Sequence, residues 1–222
     1  MPFALWFAPM SGITNRVDGR KLRYAGRRDE LLRAVTDYVL ERGVGNLAIR
    51  PMAEAVGVSH ATLLNHFGTK ENLITEVVDL LRQQSMPIDP DMPIPEEVAE
   101  DAAGAIALWW REWTRPEYLP SLRLMFEVYG QALLHPTRYE RFFDDVVGGW
   151  LRFFTRVAEA AGCPPDELEE TGTTLFAVMR GLQLDLVATN DTARTDGALR
   201  LITAEVSRRQ ALWATGAKAI PT

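Results

Sequence analysis

Between Ala53 and Leu73 the chain reads AEAVGVSHATLLNHFGTKENL, and the spacing of its residues restricts this segment to one local fold. Gly57 stops a helix where a left-handed residue is needed. Ser59 can cap the next helix by accepting from its orphan amides. Leu63 and Phe67 are four apart, share a face and anchor that short helix inward. Ala53 lies four before Gly57 and is small enough for two helices to approach closely, with Met52, Val56, Val58 and Leu63 filling the space between. Two short helices joined by a three-residue glycine turn form a helix-turn-helix.

The rest of the chain extends the helical pattern. Leu31, Leu32, Val35, Val39 and Leu40 form an apolar stripe over about 28–42, ended by Gly43. Helices are predicted over about 48–56, 59–67 and 69–84. Pro51 is tolerated in the first turn of the first of these, where its missing amide has no partner to lose. "SMPIDPDMPIP" then places four prolines in eleven residues and marks a domain boundary. Longer helices are predicted over about 95–114, 117–134, 137–161, 165–189 and 193–213. No run alternates Val, Ile and Thr as a strand would. The expected fold is all-α: an N-terminal three-helix helix-turn-helix domain at 27–84 and a larger helical domain at 85–216. Residues 1–26 are expected to form a disordered basic extension.

Charge separates the two parts. Residues 1–85 hold eleven Lys/Arg against nine Asp/Glu, and residues 86–222 hold thirteen against twenty-one, within a net charge of −6. Six basic residues between Arg16 and Arg28 face one acid, Asp18. This pattern suggests a polyanion partner at the front and an acidic body behind it. No apolar run is long enough to span a membrane. Cys163 is the only cysteine, which excludes a disulfide or cysteine-metal framework within one chain and fits a reducing cytoplasm. His60 and His66 are six apart, about 240° around a helix, so they share no metal-binding face. No metal or cofactor is expected.

With Leu63 and Phe67 turned inward, His60, Ala61, Leu64 and Asn65 point outward, flanked by Thr62 and His66. A major groove admits one helix, and short polar side chains can read its base edges. Lys70 starts the next helix, where the dipole favours acids, and a phosphate partner would make it useful there. Arg27, Arg28 and Arg50 complete the candidate DNA-contacting set.

The stretch "AIRPMAEAVGVSHATLLNHFGTKENLI", residues 48–74, resembles the tetracycline-repressor (TetR) family of bacterial transcriptional regulators. The resemblance extends over about 27–84. It implies a homodimer on palindromic operator DNA, most often a repressor, released by a small molecule that enters the rear domain. It also implies base and phosphate contacts by His60, Ala61, Thr62, Leu64, Asn65 and His66, and a phosphate contact by Lys70. Leu64 stands where the family usually carries Tyr; it can touch a thymine methyl but cannot hold a phosphate.

Aromatic residues concentrate in the rear half. An apolar effector pocket is expected among Trp109, Trp113, Phe126, Tyr129, Phe143, Trp150, Phe154, Phe176, Met179 and Gln183, against the alternative that these simply pack a core. By the resemblance, Leu168, Leu175, Leu182, Leu186, Leu199, Ile202 and Val206 would form the dimer face. Neither a Gly-rich phosphate loop nor a nucleophile elbow is present, so an enzyme is not expected. The alternative to a DNA-binding regulator is a helical ligand-binding or interaction module.

Overall fold

The computed structural model describes residues 19–45, 47–85 and 93–216, and among them helices are the only regular elements. The front helices are α1 (Gly19–Arg42), α2 (Ile49–Ala55), α3 (His60–Phe67) and α4 (Lys70–Ser85). Then come α5 (Glu96–Glu100), α6 (Ala102–Trp113), α7 (Leu119–Leu134) and the single turn α8 (Glu140–Phe142), which runs on as a π-helical stretch, Phe143–Gly148. The last are α9 (Gly149–Ala160), α10 (Leu168–Thr189) and α11 (Thr192–Trp213). No described helix is long and apolar enough to cross a membrane.

Local chemistry sets most of the boundaries. Ser59 Oγ accepts from the Thr62 amide at 3.1 Å and starts α3. Asp101 and Asp191 cap α6 and α11 by accepting from the Gly104 and Arg194 amides at 2.8 and 3.0 Å. Gly43 and Gly57 take φ of +70° and +73° just past α1 and α2. Pro51 is the third residue of α2, inside the turn whose amides lack partners.

Two boundaries differ from those expected. Helix α1 begins at Gly19 rather than near 28, so part of the basic segment is helical. Its sequence, GRKLRYAGRRDELL, holds four Arg and three Leu, good helix formers, with no proline to stop it. Residues 1–18 of the expected extension lie outside the described residues. The second difference is the division of the chain. Two compact units form, but 123–143 groups with the front helices, while 93–122 and 144–216 make up the other unit. The division therefore falls inside α7 and not only at the proline-rich segment. Proline content marks where a helix must break, whereas the unit boundary depends on packing between residues far apart in sequence.

In the front unit Leu31, Val35, Val39, Met52, Leu63, Phe67, Leu73, Ile74 and Val77 are buried together with Val128. Leu63, fully buried at 0% exposure, carries α3 on the core as its spacing requires. In the rear unit the core is aromatic. Trp109 stacks on Trp113 (6.0 Å, 11°), Trp150 stands edge-on to Trp113 at 5.2 Å, and Phe153 and Phe154 close the cluster. Trp110 Nε1 donates to Asp196 Oδ1 at 2.7 Å and ties α6 to α11.

Candidate nucleic-acid interface

Helix α3 is two turns long and presents one face outward. His60, Ala61 and Asn65 are exposed, and Leu64, Thr62 and His66 are half-buried beside them. Thr62 is less available than its residue type suggests, because its hydroxyl is bonded to Ser59 Oγ at 2.8 Å. His66 sits at the end of the helix, its ring 6.0 Å from that of Phe67. The exposed polar side chains on this face are those of His60 and Asn65, while Ala61 and Leu64 offer only apolar surface.

Lys70 is the first residue of α4, and its Nζ donates to the Leu47 carbonyl at 3.2 Å. One of three ammonium donors is thereby used, and the bond holds the charge beside the segment that leads into α2. Arg50, in the first turn of α2, and Arg27 on α1 are both exposed.

Arg28 has partners within its own unit. Its Nη2 forms an ion pair with Glu76, its guanidinium lies 4.7 Å over the Phe67 ring, and its Nε donates to the His66 carbonyl at 3.4 Å. It is engaged inside the protein rather than held out toward DNA. The partners lie 38 and 48 residues away, so local sequence gave no sign of them.

The residues of the expected dimer stripe are partly internal to the protomer. Leu175, Leu186, Leu199 and Val206 are buried within the protomer, and Leu168, Leu182 and Ile202 are half-buried. The exposed apolar surface of α10 is instead Ala177, Gly181, Leu184 and Ala188, spaced four, three and four apart on one face. On α11, Leu201 is 74% exposed, with Ala204 exposed one turn on.

The expected pocket residues do not form one group. Phe126, Tyr129 and Phe143 belong with the front unit. Trp109, Trp113, Trp150, Phe154, Met179 and Gln183 are buried in the rear unit, where the rings pack against one another. Phe176 is half-buried and faces the Arg180 guanidinium at 5.2 Å. An apolar slot of about 80 Å³ does open in the rear unit, lined by Val157, Leu175, Ile202, Val206 and Trp213, but none of the expected pocket residues reaches it. One polar atom stands out among the aromatics: Trp113 Nε1 is buried and has no hydrogen-bond partner.

Comparison with known proteins matches residues 31–77 to the family described as bacterial regulatory proteins, tetR family. The transcriptional repressor KstR2 of Rhodococcus jostii is 35% identical over 54 residues, 24% of this chain and 26% of that protein. The regulator LuxR of Vibrio harveyi is 32% identical over 111 residues, 42% of this chain and 54% of that protein. The matched region thus spans about a quarter to a half of the length of these curated relatives. The fold is shared more widely. A TetR-family regulator from Rhodococcus sp. superposes with a TM-score of 0.61 at 18% identity, covering 81% of this chain and 99% of that one. NalD of Pseudomonas aeruginosa, described as the secondary repressor of a multidrug efflux pump, gives 0.54 at 16% identity over 83% and 96%.

Proposed function

We infer, from the match of residues 31–77 to the tetR family of bacterial regulatory proteins, that this chain is a transcriptional regulator: it binds inverted-repeat operator DNA as a homodimer, represses from there, and is released by a small, mostly apolar molecule. The observation that carries DNA binding is α3, whose Leu63 and Phe67 are sunk in the core while His60, Ala61 and Asn65 stand exposed beside Lys70. A short, rigidly anchored helix with a polar outer face suits a major groove. Two copies would join through the Ala177, Gly181, Leu184 and Leu201 face and set two recognition helices roughly 34 Å apart on one side of the duplex. The repressor reading is supported by relatives such as the transcriptional repressor KstR2. As a DNA-bound regulator the protein would act in the cytoplasm.

The effector reading rests on Trp113. A buried indole N–H without an acceptor costs about 1–3 kcal/mol. A ligand carrying one acceptor, such as a carbonyl or hydroxyl, on an otherwise apolar body would recover that energy among the rear aromatics. Such binding shifts the DNA equilibrium only through its different affinity for the two dimer arrangements, and ~1–3 kcal/mol suffices.

The test is selection of DNA by the purified protein, followed by salt-titrated gel shifts on the selected fragment. An inverted repeat bound by a dimer in light scattering is the expected result. A selected site without two-fold symmetry, or a monomer on DNA, refutes the reading. Candidate effectors are then titrated by tryptophan fluorescence, with Trp113→Phe expected to weaken binding and raise the ligand concentration needed for release.

A further inference from the structure

The C-terminal end of α3 is held by a side chain from another helix. The last carbonyls of a helix have no partner within it, and a cation placed there also complements the helix dipole. Arg28 of α1 serves both needs: Nε donates to the His66 carbonyl at 3.4 Å while the guanidinium plane covers the Phe67 ring. Arg28 is in turn fixed by Glu76 of α4. The second oxygen of Glu76 accepts from Arg141 Nη1, at the start of α8, at 3.3 Å. All five residues belong to one compact unit. The Glu76 side chain is only 12% exposed, so its charge depends on both arginines for compensation.

We propose that Glu76 is a positioning residue for DNA recognition, linking Arg141 of α8 to Arg28 and, through Arg28, setting the orientation of α3. The proposal rests on the reading of α3 as the helix that meets DNA. A phosphate site is the competing account of so many arginines, and the surroundings argue against it. The groove over these residues, about 430 Å³, is lined by Arg28, Arg33 and Arg141 and equally by Asp29, Glu76 and Asp79. Three cations against three carboxylates leave no net charge for a polyanion. The arrangement also gives α8 a purpose. That single turn carries Arg141 to the second oxygen of Glu76.

The full-length protein is tested as Arg28→Gln, Glu76→Gln, Arg141→Gln and Arg141→Lys. Arg141 is about half exposed, so its variants fold even where Glu76→Gln does not. The first readout needs no DNA: hydrogen exchange of the α3 amides. Arg141→Gln should speed that exchange about three- to tenfold, and Arg141→Lys should restore most of the protection. The second readout is binding to the selected operator at several salt concentrations. Arg28→Gln and Arg141→Gln should each weaken binding with the salt slope unchanged, and the double variant should be no weaker than Arg28→Gln alone. The proposal fails if α3 exchange is indifferent to Arg141→Gln, or if the two losses simply add. It also fails if Arg28→Gln lowers the salt slope by about 0.9, the mark of a direct phosphate contact. If the unaltered protein binds no DNA, the DNA reading falls, while the exchange experiment still decides whether the link to α3 exists.

Discussion

Gly43 and Gly57 offer a matched pair of perturbations. Both end helices with nearly the same backbone, at φ of +70° and +73°. At Gly57 an added methyl meets nothing within 4 Å, whereas at Gly43 it would lie 2.7 Å from Glu127 Oε2 and 3.3 Å from Oε1. That same Oε2 accepts from the amide of Val44 at 2.8 Å, and Val44 is buried at 3% exposure. Gly57→Ala should therefore cost only the left-handed penalty, about 1–2 kcal/mol. Gly43→Ala adds displacement of the carboxylate and an unsatisfied buried amide, about 1–3 kcal/mol. Since Glu127 is exposed and can swing aside, the lower half of that range applies, and the expected excess of Gly43→Ala over Gly57→Ala is about 1–2 kcal/mol. In a chain of this size that corresponds to a further fall of roughly 2–8 °C in Tm. Urea denaturation of the two variants measures the difference. The mechanism is isolated by repeating both in a Glu127→Ala background, where the excess should vanish. Equal losses at the two glycines, or an excess that survives without Glu127, would refute this account of how α7 is tied to the end of α1.

Other expectations follow from the exposed faces and the core. Lys70→Ala should weaken binding to all DNA sequences about equally and lower the salt slope by about one unit, whereas Asn65→Ala should change which bases are selected. Leu201→Glu or Leu184→Glu, at positions 74% and 49% exposed, should leave protomer stability within about 0.5 kcal/mol yet give a monomer in light scattering and weaken operator binding. A dimer that survives both changes moves the interface elsewhere. Burial raises the Cys163 thiol above its ordinary pKa, opposed by its hydrogen bond to Thr171, so a thiol reagent at pH 8 should modify native protein ~100-fold more slowly than unfolded protein. Equal rates would show that the turn after α9 opens freely.

The sequence alone determined what depends on neighbours within about one helical turn. The capping of α3 by Ser59, the left-handed Gly57, the inward pair Leu63 and Phe67, and the outward His60 and Asn65 all follow from spacing along the chain. Helix periodicity also specified an all-α chain, because 3.6-residue repeats and turn residues are local signals. Tertiary structure decided what depends on which residues meet. Arg28 looks like a DNA arginine until Glu76 and the His66 carbonyl come within its reach, from 48 and 38 residues away. The stripe of Leu175, Leu186, Leu199 and Val206 is apolar enough for either a dimer face or a protomer core, and the packing of α10 and α11 buries it. Likewise Glu127, an acid within α7, becomes the acceptor for an amide 83 residues earlier. Periodicity identifies a face and its polarity. Which neighbour covers that face depends on contacts made across long stretches of chain, and no local pattern encodes them.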